Sequence, residues 1–322
     1  MRRRTFIAGL GAAVWPLVAN AQPTPIIGFL SGRSATTDAP LLAAYRTGLS
    51  EAGLVEGRQF TIKYAPAEGR SNRLRMLAAD LVRANVSLIL AGDSASAQAA
   101  SDVTKTTPVV FFSGGDPVQL GLVASYNRPG GNLTGVAQLG HALIAKRLDL
   151  LRDFASNVGA IGFVQDSGNP SASGEAEAAA QAAFLIGRPL VVFKIASEGD
   201  FDPLSTWVVD SGVHALLFGA SPLFTNNARR LTDLANQGKI PAIYNLREFA
   251  LVGGLASYGA DLRDGFRLMG QYSARILNGE QPGDLPVAQP TKFELVVNLT
   301  TAKSLSPDIP PSLLARADEV IE

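Results

Sequence analysis

The chain has 322 residues, 47% hydrophobic and 17% charged, a globular composition long enough for two domains of ordinary size. Formal net charge is zero, and setting aside Arg2, Arg3 and Arg4 leaves an acidic excess of three, so no basic surface is offered to a phosphate backbone and the balance argues against nucleic-acid binding. Cysteine is absent, which excludes disulfides, thiolate metal sites, a catalytic thiol and a lipid-anchoring Cys, and the two histidines, His141 and His214, stand too far apart in sequence to suggest a metal or acid–base centre.

Residues 1–21 read as a secretory signal peptide. Arg2-Arg3-Arg4 precedes an apolar run from Ile7 to Val18, and Ala19-Asn20-Ala21 is a small-residue cleavage site. The run is about a dozen residues, short of the roughly 20 that span a bilayer. Arg3-Arg4-Thr5-Phe6 is compatible with the twin-arginine route as well as the general one. The Gly9-Leu10-Gly11 pair lies inside this apolar run with no strand before it, so it is not a dinucleotide fingerprint. A cysteine-free exported chain points to the periplasm.

Beyond the leader, strand and helix signals alternate. Pro25–Leu30 reads as a buried strand, Asp38–Gly53 as a helix capped by Asp38 and ended by Gly53, Phe60–Tyr64 as a strand and Arg73–Arg83 as an amphipathic helix. Val86–Ala91 and Pro108–Phe112 are strands around a small-residue helix, Ala95–Val103. Pro117–Tyr126 reads as a short helix and Asn132–Ala137 as a strand. The rhythm restarts with helix Ala142–Phe154, strand Ala160–Val164, helix Gly174–Gly187, strand Leu190–Ile195 and helix Asp202–Ser211. Strand Ala215–Phe218, helix Thr225–Gln237, strands Ile240–Tyr244 and Gly254–Tyr258 and helix Leu262–Leu277 follow. The proline-interrupted tail, Ser304–Glu322, is expected to wrap the surface. This alternation predicts an α/β chain of two doubly wound, Rossmann-like lobes built on parallel sheets, with a seam near Gly135–Gly140.

In such sheets ligands bind beyond the carboxyl ends of the strands. The loops there share a composition: Ser31-Gly32-Arg33, Gly92-Asp93-Ser94, Gly114-Gly115-Asp116, Asp166-Ser167 and Gly219-Ala220-Ser221. Glycine lets a ligand approach the backbone, Ser and helix N–H groups can hold a carboxylate, and Asp can accept from an ammonium or hydroxyl. Each loop also fits a plain turn with a helix cap. Asp93 and Asp116 could pair as acid and base, although capping explains both. His214 fits a strand-edge position and His141 a helix start. Tyr244, Phe249 and Tyr258 fit a core or the apolar wall of a pocket. Phosphate-loop, HExxH, GxSxG and SxxK motifs are absent, which leaves an exported enzyme without a complete constellation.

Long stretches resemble the substrate-binding proteins of ABC transporters, in the family that includes tryptophan- and phenylalanine-binding members. They include PIIGFLSG, LAADLVRANVSLILAG, DPVQLGLVASYNRPGGNLTGV and KFELVVNLTTAK. The resemblance implies a type I periplasmic-binding fold whose lobes are joined by three crossovers: residues 22–138 with 259–287 in lobe 1, and 139–258 with 288–322 in lobe 2. It implies hinge closure over a small molecule, amino-acid-like, delivered to a permease in the cytoplasmic membrane by a monomer without cofactor. Carried over by motif, the ligand residues are Ser31, Gly32, Asp93, Ser94, Ala95, Gly115 and Asp116 from lobe 1. Lobe 2 supplies Asp166, Ser167, Ser221, Pro222, Leu223, Phe224 and Tyr244. In that assignment Ser94 holds a carboxylate, Asp166 or Asp116 faces an ammonium, and Tyr244 or Phe224 the side chain. Where relatives carry Asn-Pro-x-Asn after the first strand of lobe 2, this chain reads Gln165-Asp166-Ser167-Gly168-Asn169-Pro170. A sensor subunit that hands its ligand to a membrane receptor would use the same fold.

Overall fold

The computed structural model describes residues 24–138, 140–154, 159–305 and 310–322; the leader read over residues 1–21 lies outside them. The first half runs β1 (Ile26–Ser31), α1 (Ala35–Glu51), β2 (Thr61–Pro66), α2 (Leu74–Arg83), β3 (Leu88–Ala91), α3 (Ser94–Val103), β4 (Val109–Ser113) and β5 (Leu133–Ala137). Its five strands form one parallel sheet in the order β2-β1-β3-β4-β5. Alternate residues face opposite layers. Phe29, Leu90 and Phe112 pack with Leu41 and Tyr45 of α1, while Leu30, Ile89 and Phe111 pack with Leu74, Leu81 and Ala97 of α2 and α3. Helices on both faces explain why β1, β3, β4 and β5 are predominantly apolar and buried almost throughout, whereas the edge strand β2 alternates between exposed and at least partly buried residues.

The second half runs α4 (Ile144–Phe154), β6 (Ala160–Asp166), α5 (Ala172–Leu185), β7 (Leu190–Ile195), α6 (Phe201–Ser211), β8 (Val213–Phe218), α7 (Pro222–Asn226), α8 (Ala228–Gln237), β9 (Ala242–Tyr244), α9 (Arg247–Leu251) and β10 (Ala256–Ala260). It continues with α10 (Leu262–Leu277), β11 (Phe293–Asn298), α11 (Leu299–Leu305), α12 (Pro311–Leu314) and β12 (Glu319–Ile321). The second sheet has the order β12-β11-β10-β9-β8-β6-β7 and is parallel except for the β10–β11 pair. Although α10 follows a strand of the second sheet, it packs on α1 in the first lobe. Glycines permit the close approach: a Cβ on Gly48 would stand 1.8 Å from the Arg267 carbonyl, and one on Gly270 2.3 Å from that of Tyr45. The chain then returns through Ala288, whose carbonyl accepts from the Ala137 N–H at 2.9 Å, into β11. Thus it passes between the lobes three times: after β5, after β10 and before β11. This is the two-lobed α/β architecture that the alternation of strands and helices predicts, with the three crossovers that the family resemblance implies.

Four local expectations change. Ser34, not Asp38, caps α1, in a reciprocal capping box with Thr37; Asp38 is buried in the first turn and accepts from the Tyr64 hydroxyl at 2.7 Å. Residues Pro117–Tyr126 form turns rather than a helix, because Gly121 adopts φ +69° and breaks the run. The helix predicted over Thr225–Gln237 is divided at Asn227, and its first turns start earlier, at Pro222. The tail contributes β12, paired in parallel with β11, instead of only wrapping the surface. Among the described residues no helix is long and apolar enough to cross a membrane.

Candidate functional site

The carboxyl ends of both sheets face a shared cavity of about 50 Å³. Arg33, Gly92–Ala95, Phe112, Gly114 and Gln138 line it from the first lobe. Asn169, Ala220–Pro222, Thr225, Asn245 and Leu246 line it from the second, and Leu262 at the start of α10 closes the hinge side. The apolar contribution is Phe112, Leu246, Leu262, Pro222 and two alanines.

The charged features converge on the first lobe. Arg33, two residues beyond the end of β1, is only 6% exposed, and its buried Nε has no hydrogen-bond partner among the described residues. Asp38 feels the guanidinium charge without bonding to it, and burial pushes the Asp38 carboxyl up to about 6. Beside Arg33 is the N-terminus of α3. Asp93 caps this helix: its Oδ1 accepts from the Ser96 N–H at 2.9 Å, and its Oδ2 from the Ser96 hydroxyl at 2.8 Å and the Gly32 N–H at 2.7 Å. The cap leaves the N–H groups of Ser94 and Ala95 without an intrahelical acceptor, at the positive end of the helix dipole. A buried guanidinium next to free helix N–H groups is suited to a carboxylate.

The lobes are in contact around this cavity. Asn226 Oδ1 accepts from the Ser34 N–H and the Thr37 hydroxyl, both at 2.9 Å. Two predicted glycines serve this contact. A Cβ on Gly32 would lie 2.9 Å from Pro222 Cγ, and one on Gly115 2.5 Å from the Ser171 hydroxyl. Here glycine lets the opposite lobe approach.

Of the predicted residues, Asp93, Ser94, Ala95, Ser221 and Pro222 line the cavity. The Ser94 hydroxyl is held by Ser113, Gly114 and Ser171, which leaves its N–H for a ligand. Ser31 and Gly32 stand one layer back, where the Ser31 hydroxyl accepts from the Arg33 N–H at 3.1 Å. Asp166 also lies behind the wall, accepting from the Ser221 hydroxyl and from the Gly168 N–H at 2.8 Å; burial raises its carboxyl above the usual range. Gly115 and Asp116 face a separate depression, and Asp116 secures its own turn through the Val118 N–H at 2.9 Å. The Ser167 hydroxyl donates to the Ile195 carbonyl. Leu223 and Phe224 are buried, Phe224 packing edge-on against Phe218. Tyr244 is fully buried, stacked between Phe218 at 4.9 Å and Phe249 at 4.6 Å, within the core of lobe 2. Phe112, Gln138, Thr225, Asn245, Leu246 and Leu262 are lining residues the sequence reading did not single out, while Arg33 and Asn169 stood in loops it named without being assigned to the ligand. Apart from Thr225, their shared signal is position, at or just beyond a strand's carboxyl end.

A buried charged pair supports the floor of the second lobe. Arg147 is fully buried and donates to the Gly140 carbonyl at 3.1 Å. Glu175 accepts from the N–H of the lining residue Ala220 at 2.9 Å, and burial, opposed by Arg147, pushes its carboxyl up to about 7. Among the described residues no group of three His, Cys, Asp or Glu side chains is placed to hold a metal ion.

The chain is 25% identical over 257 residues to a tyrosine-binding protein of Clostridioides difficile, covering 80% of this chain and 74% of that protein. A conserved domain protein of Vibrio cholerae superposes with a TM-score of 0.86 at 26% identity, over 92% of this chain and 99% of the other. An ABC domain of Streptococcus pneumoniae in complex with L-Trp gives a TM-score of 0.84 at 25% identity, over 92% and 100%. The family model for ABC transporter substrate binding proteins matches residues 38–321. With this match spanning both sheets, and with a cavity enclosed between them, the chain belongs to the ABC transporter substrate binding protein family.

Proposed function

We propose that this protein is exported, cleaved after Ala21, and works in the periplasm as a monomer that captures a small carboxylate-bearing molecule, an amino acid or a related organic acid, for an ABC permease. The observation that carries the ligand reading is Arg33, a buried guanidinium whose Nε has no partner among the described residues, lining the interlobe cavity beside the N-terminus of α3. A desolvated cation in this position is stabilised by an anion that brings its own hydrogen-bond acceptors. The ligands in the names of the C. difficile and S. pneumoniae relatives, tyrosine and L-Trp, are both carboxylates and support the same class.

Capture proceeds by closure. The ligand enters the open cleft and its carboxylate settles on Arg33 and the Ser94 and Ala95 N–H groups. Lobe 2 then brings Asn245, Ser221 and Pro222 over it. Because lobe 2 adds its contacts only in the closed form, the ligand shifts the population toward that form, and the permease reads the closed shape. The lobes divide as 22–138 with 259–287 and 139–258 with 288–322. The protein binds and releases its ligand unchanged.

The test is thermal unfolding of the mature chain, beginning at Gln22, against amino acids, organic acids, sugars and amines. A carboxylate at 100-fold over its dissociation constant adds about 2.7 kcal/mol of stability. Stabilisation by sugars or amines alone would overturn the carboxylate reading. Export is checked by the N-terminal sequence of the protein recovered from the periplasm.

A further inference from the structure

We infer that the ligand is a small organic acid that carries a carboxylate and no ammonium group, a step that rests on the carboxylate reading above. The argument is the charge and hydrogen-bond inventory of the wall. An α-amino acid presents a carboxylate and, one carbon away, an ammonium with three donors, and a site that desolvates both must supply an uncommitted anion or several free acceptors. The cavity has a free cation and a committed anion. Among the described residues Asp93 is the one lining carboxylate, and its two oxygens already accept three hydrogen bonds, from Gly32 and from the backbone and hydroxyl of Ser96. Its charge is used in capping α3 and in holding the Gly32 N–H.

The neighbouring carboxylates do not fill the gap. Asp166 lies behind the wall with its oxygens on Ser221 and Gly168. Asp38 lies outside the lining and accepts from Tyr64, and Asp116 faces a different depression. Nor does lobe 2 present spare acceptors in number. Asn169 takes the Ser171 N–H on its oxygen and gives its amide to the Ala220 carbonyl. The Thr225 hydroxyl donates to the Ser221 carbonyl, and that of Ser221 bonds Asp166 and the Leu223 N–H. Among the described lining side chains, those left uncommitted are two neutral amides, Gln138 and Asn245, beside the apolar surface of Phe112, Leu246 and Leu262. This wall fits a carboxylate with an apolar body and a neutral oxygen substituent, as in a 2-oxo or 2-hydroxy acid.

The test uses matched pairs that differ only at the 2-position, titrated calorimetrically into mature protein refolded free of bound ligand. The pairs are lactate and alanine, 2-oxoisocaproate and leucine, phenylpyruvate and phenylalanine, and indole-3-pyruvate and tryptophan. The expected result is at least one pair in which the acid without the amino group binds 10-fold or more tightly than its amino acid. An amino acid that binds as tightly as its partner, or more tightly, overturns this inference and leaves the carboxylate reading in place. Failure of every acid in both series overturns the two together.

Discussion

The Ser171 hydroxyl donates to the Ser94 hydroxyl at 3.1 Å, joining the residue before α5 in one lobe to the first residue of α3 in the other. Asn226 makes a second bridge, to Ser34 and Thr37 at the start of α1. Both bridges span the cleft, so they stabilise the closed form and contribute nothing when the lobes are apart. They lower the work a ligand must do in closing the cleft.

Replacing Asn226 with Ala removes three interlobe hydrogen bonds, those from the Ser34 N–H and the Thr37 hydroxyl and the longer one its amide donates to the Gly32 carbonyl at 3.5 Å, each of up to about 1 kcal/mol net. Ligand affinity is expected to fall roughly 5- to 30-fold, with little change in the unfolding midpoint of the unliganded protein. Calorimetry and thermal unfolding measure the two quantities. Unchanged affinity would show that the ligand alone holds the cleft closed.

Gly32→Ala places a methyl group 2.9 Å from the Pro222 ring of the facing lobe. Opening relieves the clash, so the cost falls on closure and not on folding. We expect affinity weakened by about 10-fold or more, while chemical denaturation without ligand matches the wild type. A large loss of stability instead would mean that the added carbon disturbs the first lobe itself, through Asp93 Oδ2 at 3.1 Å.

Arg33→Met removes the buried guanidinium but keeps an unbranched apolar stem. Hydrogen bonds to a charged group contribute about 1.5–3 kcal/mol, so carboxylate affinity should drop by roughly 10- to 100-fold. Stability without ligand should hold or rise, since an unpaired buried charge has been removed. Titration and urea unfolding of the variant test both halves.

Tyr244 separates pocket from core. Tyr244→Phe deletes a buried hydroxyl that has no partner among the described residues, and stability should stay level or increase by about 1 kcal/mol. Tyr244→Ala opens a hole between Phe218 and Phe249 and should cost about 3–5 kcal/mol. Affinity of the Phe variant should equal that of the wild type; a marked loss would bring Tyr244 into the binding surface.

Glu175 sets a pH dependence. Burial raises its carboxyl from 4.5 to about 7, so the folded chain holds this proton more tightly than the unfolded chain does. Its contribution is complete below pH 4.5 and is lost as pH rises toward 7. Asp38, raised from 3.8 to about 6, acts in the same direction. The advantage of Glu175→Gln over wild type in unfolding midpoint should therefore grow between pH 4.5 and pH 7. A constant difference across that window would show that Glu175 ionises freely in the folded protein.

The sequence by itself determined the alternation of strands and helices, the parallel sheets and the placing of several cavity-lining residues after strand ends. These are local or periodic properties: apolar runs of strand length, helical spacing, and caps such as Asp93 beside a glycine. It also placed α10 and β7 with their observed bounds. What it missed depended on partners remote in sequence. The strand β11 is antiparallel and enters the second sheet only because the chain returns from lobe 1. Tyr244 and Phe224 have the composition of a pocket wall, yet stacking with Phe218 and Phe249 turns them into the core. Arg33 stood in a loop read for its Ser and Gly. Only the packing of Pro222 and Asn226 against that loop shows that the guanidinium is buried and faces the cleft. Local pattern sets the conformation of a segment, whereas desolvation, charge pairing and the distance between lobes are decided by what the rest of the chain places opposite it.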